Sequence, residues 1–265
     1  MKYSGKVAVI SGCIGSTHAT APVDSNYVHY SPIIGDCYMF CDNLELREFI
    51  ESRGWIFCHI DCSDIEPNNS KQFNLRYKEI KFLGILKQEK YKHLLNYEYI
   101  VCIDHKIKMW PQHIEDMIES TLDVPFAVKP MSDPPPSSPN GDVMDEFNAS
   151  MFQSRYKEDE EIYIKLINHY LDKGYNRLAI RPLTGLACYN LKYLDEILKF
   201  SDEILTILKQ NNIIQCQIIS FFIYQKTRMN WLSCHQLMMY DFNNFKKYCD
   251  QKTIHGNGIP VLHGL

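Results

Sequence analysis

The stretch that decides the fold lies at residues 97–106, where the sequence reads YEYIVCIDHK. Residues 99–103 are apolar or aromatic without interruption, and the triplet Asp104-His105-Lys106 follows at once. Such a run predicts a buried strand of a parallel sheet. Ligands of these sheets bind at the carboxyl ends of the strands, so the run places Asp104 at a candidate binding edge. A strand that ends at the surface with a solvated acid gives the same local pattern.

The composition limits the class of protein. The chain has 265 residues and 45% hydrophobic content, enough for a packed core. Its 28 Lys and Arg against 32 Asp and Glu give a formal charge of -4, which argues against a nucleic-acid partner. No stretch reaches the roughly 18 apolar residues of a membrane span. The first residues predict a strand rather than a signal peptide, so the ten cysteines are expected as thiols in a cytoplasmic protein.

Two cysteine pairs leave a choice open. Cys37 with Cys41 and Cys58 with Cys62 have spacings that a zinc site could use. Both pairs also lie in strand-like apolar surroundings, where cysteine acts as a small hydrophobe. We favour the second interpretation.

The first half of the chain alternates strand-like and helical segments. This order predicts an α/β fold, a Rossmann-type domain with a mostly parallel central sheet flanked by helices. We expect one domain over residues 1–265, with a nucleotide-binding half to about residue 110 and an acceptor-side half and tail after it. Strands are predicted at 6–10, 37–40 and 56–60, a helix at about 44–53, and a further helix that carries Phe82, Ile85 and Leu86 on one face.

The second half is predicted to be richer in helix. We expect helices at 113–121, 145–173 and 193–211, and strands at 126–129 and 183–190. The charge run at 157–161 is typical of a solvated helix face. The Pro-rich stretch 132–141 and the tail 254–265 predict loops, whereas the apolar segment 213–226 has no periodicity that decides its type.

Several polar residues could serve an enzyme that transfers a sugar from a nucleotide diphosphate. The diphosphate leaves with negative charge, which a divalent metal or Lys and Arg must neutralise. Asp104 suits Mg²⁺ or Mn²⁺, and Arg76 and Lys78 suit direct neutralisation. Asp42 and Asn43, after another strand, offer acceptors for a base or a ribose. Surface ion pairs for Arg76 and Lys78, and helix capping by Asp42, are the alternatives.

The order of these motifs resembles the GT-A glycosyltransferases. It is carried by the turn that ends in Gly15, the strand into Asp42-Asn43, Arg76-Tyr77-Lys78, and the strand into Asp104. The resemblance is to the branch once classed only as a domain of unknown function and linked to plant wall polysaccharide synthesis, with bacterial and viral relatives. Its downstream features are similar to YLDKGY at 170–175 and QIISFFIY at 217–224, so the resemblance spans roughly residues 6–230.

A weaker resemblance is to retaining enzymes of the glycogenin and galactosyltransferase type. There Arg-Tyr precedes the metal-binding strand, a Gly opens an acceptor-side strand as Gly185 would here, and a C-terminal His closes over the diphosphate. It implies a divalent metal, Mn²⁺ or Mg²⁺, with Asp104 and either His255 or His263 as ligands.

The chain departs from the GT-A pattern at the metal motif. Where Asp-x-Asp is usual, this sequence has Asp104-His105-Lys106. Lys106 could neutralise the diphosphate, could point away while Asp104 holds the metal, or could indicate lost activity. An inverting reaction needs a carboxylate or His base, for which Asp145, Glu146 and Asp142 are candidates, whereas a retaining one needs none.

These observations predict a hexosyl- or pentosyltransferase that uses a nucleotide-sugar donor and a carbohydrate or other hydroxyl acceptor. Ser11, Gly12 and His105 complete the predicted nucleotide-sugar site, and the predicted catalytic residues are Asp104, Lys106, Asp145 and Glu146. Two alternatives remain. One is an inactive nucleotide-sugar-binding module, and the other is an NAD(P)-dependent Rossmann-type enzyme, suggested by Gly12-x-x-Gly15.

Overall fold

A central sheet of seven strands organises the molecule. The structure is a computed structural model, and it describes residues 2–3, 5–15, 30–32, 34–105, 107–130, 141–232 and 239–240. The strands of the described chain are β1 (Val7–Cys13), β2 (Asp36–Cys41), β3 (Ile56–His59), β4 (Tyr99–Ile103), β5 (Ile107–Lys108), β6 (Phe126–Pro130), β7 (Gly141–Asp142), β8 (Leu178–Ala179), β9 (Pro182–Asn190), β10 (Asn230–Trp231) and β11 (Met239–Tyr240).

The order across the central sheet is β10-β6-β9-β4-β1-β2-β3. Its strands run parallel except β9, which pairs antiparallel with both β4 and β6. Two small antiparallel pairs, β5 with β11 and β7 with β8, lie outside it. The predicted α/β fold with a mostly parallel sheet is confirmed. The order 3-2-1-4 reverses direction at β1, so the carboxyl ends of β1 and β4 form a topological switch point.

Helices flank the sheet. They are α1 (Arg47–Ser52), α2 (Ser70–Lys81), α3 (Pro111–Glu119), α4 (Val143–Met151), α5 (Ser154–Lys157), α6 (Glu160–Asp172), α7 (Leu194–Gln210) and α8 (Cys216–Tyr224). Short 3-10 turns lie at Leu44–Leu46, Gly84–Lys87, Glu89–Asn96 and Leu191–Tyr193. None of the helices within the described ranges combines the length and the apolar character needed to cross a bilayer.

The hydrophobic core occupies both faces of the sheet. Successive residues of β1 alternate between the two layers, Ala8 and Ile10 on one face and Val7 and Val9 on the other. Helices α2, α7 and α8 cover the first layer, and α1 and α3 cover the second. Because both faces are buried, the strands read as unbroken apolar runs. For this reason, the apolar run at residues 99–103 predicted strand β4 correctly.

Two of the helix predictions were wrong in their bounds. Residues 145–173 form three helices rather than one. The predicted helix around Phe82 is instead the end of α2 followed by a 3-10 turn. Leu83 has a left-handed φ of 58°, so the α-helix cannot continue through it, and Phe82 is buried in the turn that results.

The undecided segment 213–226 contains α8, and one residue of the charge run is not solvated. Asp159, at the start of α6, is buried and its Oδ1 lies 2.7 Å from the ammonium of Lys71. The predicted loop at 132–140 and the tail at 254–265 lie outside the described residues.

Candidate functional site

Asp104 stands directly after β4, and backbone bonds fix its position. Its amide donates to the carbonyl of Gly185 at 2.9 Å, and its carbonyl accepts from the amide of Ile107 at 2.8 Å. A Cβ on Gly185 would lie 2.6 Å from Asp104 Oδ2. The carboxylate therefore rests against bare backbone of β9, where only glycine leaves it room.

The other oxygen of Asp104 is bonded from α2. Asp104 Oδ1 accepts a hydrogen bond from the Tyr77 hydroxyl at 2.5 Å and lies 3.4 Å from the ammonium of Lys81. Burial, with the charge and the hydrogen bond of Asp104, raises the pKa of Tyr77 well above its usual value. Tyr77 is thus a neutral donor at any physiological pH.

His105 bridges the crevice between β4 and β1. Its Nδ1 lies 3.0 Å from the carbonyl oxygen of Gly12 near the end of β1. The ring of Tyr77 lies over Gly12 so closely that a Cβ there would be 2.9 Å from two ring carbons. The structure therefore brings Gly12, Asp104 and His105, all predicted site residues, together at the switch point.

Helix α2 presents a cationic face to this point. Asn69 caps the helix by accepting from the amide of Gln72 at 3.1 Å. Tyr77, Lys78 and Lys81 have spacings that share one helical face. Both lysines are buried, with 8% and 7% of their surface exposed. Their ammonium groups lie 5.7 and 5.9 Å from the centroid of the Tyr77 ring.

Cys216, the first residue of α8, faces the same lysines. Its Sγ lies 3.3 Å from the Thr184 hydroxyl and is hydrogen-bonded by Lys78. Burial alone would raise the pKa of the Cys216 thiol. The charges of Lys78 and Lys81 and these hydrogen bonds outweigh burial, so the pKa lies below its usual value. The lysines therefore create an environment that favours negative charge.

Glu146, on α4, is a buried carboxyl in the second half of the chain. Its Oε1 accepts from Gln215 Nε2 at 3.2 Å and lies 3.5 Å from Ser150 Oγ, whereas its buried Oε2 has no hydrogen-bond partner in the described structure. Burial raises the pKa of Glu146, opposed by the charge of Arg181. Asp145, the other predicted base, is exposed. Gln215 caps α8 and directly precedes Cys216, so neighbouring residues at the beginning of α8 contact Glu146 and the lysine face.

The residues predicted at the ends of β1 and β2 have local structural roles. Asp42 accepts from the amide of Gly15 at 3.1 Å, which ties the two strand ends together. Asn43, rather than Asp42, caps the following turn by accepting from the amide of Glu45 at 2.9 Å. Ser11 is buried within β1, and its Oγ has no hydrogen-bond partner among the described residues.

Arg76 does not join the Asp104 group. Its guanidinium donates to the carbonyl of Asp61 at 2.7 Å and to the carboxylate of Asp64 at 2.8 Å, in the loop after β3. The surface ion pair considered from the sequence is therefore present. Three other predicted site residues, Lys106, His255 and His263, lie outside the described residues.

The described residues do not fit a divalent metal. Asp104 is the single carboxylate of the group, and its Oδ1 is bonded to a hydroxyl and an ammonium. Across the described ranges, no three His, Cys, Asp or Glu side chains are grouped as metal ligands. Within the described residues, Cys37, Cys41, Cys58 and Cys62 form no disulfide.

Sequence reasoning missed Lys81, Thr184, Gln215 and Cys216. The signal for Lys81 was its spacing of four from Tyr77, which becomes visible only when residues 70–81 are assigned to a helix. Thr184, Gln215 and Cys216 carry no local signal, because their contacts join residues 32 to 69 positions apart.

Comparisons with known proteins give structural similarities without sequence matches. No family model matches the chain, and no curated protein sequence matches it. The structure is similar to the mannosyltransferase Ktr4p from S. cerevisiae in complex with GDP. The two sequences are 12% identical, with a TM-score of 0.40, 86% of this chain covered and 69% of that one.

Two further similarities have comparable scores. Mouse xyloside xylosyltransferase 1 is 8% identical with a TM-score of 0.43, covering 86% of this chain and 84% of that one. A CMP:2-keto-3-deoxy-manno-octonic acid synthetase complexed with CTP is 8% identical with a TM-score of 0.42, covering 94% and 99%. At these scores and identities the comparisons identify neither a family nor a substrate.

Proposed function

We propose that the protein is a glycosyltransferase that moves a sugar from a nucleotide-diphosphate donor to a hydroxyl of a carbohydrate acceptor. The observation that carries the proposal is the convergence of Asp104, His105 and Gly12 at the switch point, beside the buried cationic face of α2. A polar crevice at the carboxyl ends of parallel strands suits a nucleotide, and nearby cations suit its diphosphate.

The proposed roles follow from position. Asp104, held by Tyr77 and Gly185, accepts hydrogen bonds from donor hydroxyls. In an inverting transfer the acceptor oxygen forms a bond to the anomeric carbon while the bond from that carbon to the diphosphate oxygen breaks. The acceptor proton passes to Glu146, whose raised pKa suits a general base. The leaving diphosphate keeps the electron pair.

Asp104→Asn tests the proposal by donor hydrolysis and transfer with panels of UDP-sugars and GDP-sugars. We expect loss of turnover per folded molecule, together with destabilisation of about 1–3 kcal/mol because Lys81 loses a charged partner. Asp202→Asn is the matched control, since Asp202 pairs with Lys87 at the surface. Turnover by Asp104→Asn at the wild-type rate would reject the site.

One observation favours a second function, nucleotide-sugar binding without turnover. The Lys81 ammonium and the Tyr77 hydroxyl already bond Asp104 Oδ1, which makes that oxygen less available to a metal. Such a module would bind UDP or GDP in calorimetry while no donor in the panel is hydrolysed.

A further inference from the structure

The buried charges beside Asp104 do not balance. Lys78 and Lys81 are each more than nine-tenths buried, and Asp104 is the carboxylate bonded to one of them within the described structure. Burying a second ammonium without a counter-charge costs several kcal/mol. Charge balance therefore favours an anion next to Lys78.

The surroundings of Lys78 can hold such an anion. Its ammonium is hydrogen-bonded to the sulfur of Cys216, the first residue of α8, and that sulfur lies 3.3 Å from the hydroxyl of Thr184 on β9. The first turn of a helix adds partial positive charge. Two ammonium groups from α2 and a hydroxyl donor from β9 thus converge near the first turn of α8, and Asp104 is the carboxylate bonded to one of them within the described residues.

From this arrangement we infer that Lys78 and Lys81 form a metal-independent site for the diphosphate of a nucleotide. The inference rests on the proposed function and deepens it. A metal held by Asp-x-Asp would neutralise the diphosphate, but this chain has Asp104-His105-Lys106 in place of that motif. The inference assigns the neutralising role to the two lysines instead. Lys81 remains bonded to Asp104, so Lys78 supplies the uncompensated charge. In the absence of ligand, the Cys216 sulfur faces that charge.

The test is calorimetric titration of the whole chain with inorganic pyrophosphate, in EDTA and again with Mn²⁺. We expect binding in EDTA that Mn²⁺ strengthens by less than threefold, and weaker binding of sulfate. Lys78→Met should weaken pyrophosphate binding by at least about tenfold, the loss expected for one charged hydrogen bond. Lys78→Arg should retain it within a few-fold, and Lys87→Met, at an exposed ion pair, should leave it unchanged.

A thermal melt separates this role from a structural one. Replacing a buried uncompensated ammonium by a methionine should preserve or raise the melting temperature without ligand. A structural role predicts a fall instead. Binding that requires Mn²⁺, equal binding of sulfate, or equal pyrophosphate affinity in Lys78→Met would each overturn the inference.

The outcomes also separate the inference from the proposed function. Pyrophosphate binding in EDTA that depends on Lys78, with no donor turned over, would retain the anion site and reject the transferase. Donor turnover together with strictly Mn²⁺-dependent pyrophosphate binding would retain the transferase and reject the metal-independent anion site.

Discussion

The two edges of the central sheet differ in how far their charged side chains are buried. At the amino edge, Lys6 pairs with Glu98 at 2.8 Å, and each side chain is about half exposed, at 51% and 56%. At the carboxyl edge, the side chains of Lys81 and Asp104 are 8% and 18% exposed. On α4, Glu146 is also buried, and its Oε2 has no hydrogen-bond partner among the described residues.

The difference indicates where the fold accepts a cost in stability. Exposed ion pairs cost and contribute little, because water screens both partners. Buried charges and unbonded polar atoms destabilise a protein unless they are paired, and they concentrate at functional sites. Both edges belong to the same strands, so the contrast reflects the residues placed there rather than the architecture. At the carboxyl edge, the proposed function accounts for the cost.

The largest expected effect comes from Glu146→Gln, which removes the proposed base. We expect turnover to fall by about 10²- to 10⁴-fold, the range for general base catalysis. Asp145→Asn, on the exposed side of the same turn, is the matched control and should keep most of the activity.

The same substitution should stabilise the protein. Burial raises the pKa of Glu146 in the folded state. The wild type therefore carries a penalty that grows as pH rises from the unfolded glutamate value of about 4.3 to the folded value, and stays constant above it. Glu146→Gln should unfold at a higher temperature at pH 7, and the difference should vanish below about pH 4. If Glu146→Gln had wild-type turnover and no pH-dependent gain in melting temperature, Glu146 would be neither the base nor a source of instability.

The second largest loss of turnover is expected for Gly185→Ala, whose new methyl group would displace the carboxylate of Asp104. The new methyl carbon would lie 2.6 Å from Oδ2, so the carboxylate must move. A displacement near 1 Å in a catalytic group costs about 100-fold in turnover. In Gly84→Ala the methyl meets Leu205 Cδ1 at the same 2.6 Å, far along the chain from the site. The control should lose melting temperature while its turnover per folded molecule stays near wild type. The reverse pattern would contradict the placement of Asp104.

The sequence predicted the strand that leads into Asp104, but it did not predict the contacts between the helices around the site. The strand into Asp104 was predictable because a strand buried on both faces reads as an unbroken apolar run. Its relation to Gly12 followed from the rule that parallel strands share a carboxyl edge. The contacts of Lys78 with Cys216 and of Glu146 with Gln215 were not predictable. They depend on how α2, α4 and α8 are placed relative to one another, which no local periodicity encodes.

Assigning individual residues also failed where two neighbours shared a plausible role. Helix capping was the alternative to nucleotide binding for Asp42, but Asn43 caps the turn, because its side chain stands one position closer to it. Arg76 and Lys78 were expected to act together, but residues two apart on a helix face different directions. Arg76 reaches Asp64, and Lys78 turns to the core.

The third effect compares one substitution at both edges. Tyr77→Phe removes a hydroxyl that donates to Asp104 at 2.5 Å, and Tyr3→Phe removes one that donates to Glu119 at 2.8 Å. A hydrogen bond to a charged group contributes about 1.5–3 kcal/mol when it is shielded from water. We expect Tyr77→Phe to lower the free energy of unfolding by that amount in urea denaturation. Tyr3→Phe should cost less than about 1 kcal/mol, because Glu119 is 48% exposed and water replaces the donor. Equal losses would show that the edges do not differ.

The smallest effect comes from Lys6→Met at the amino edge. Its partner Glu98 stays solvated when the lysine is removed, so the free energy of unfolding should fall by less than about 1 kcal/mol. The difference should shrink further in 1 M NaCl, where the Debye length is about 3 Å. Lys81→Met, by contrast, leaves the shielded Asp104 without its ammonium partner, and its larger loss should persist in salt. A salt-sensitive loss of equal size in both variants would mean that water reaches the carboxyl edge as freely as it reaches Lys6, and the argument for a functional carboxyl edge would lose its basis.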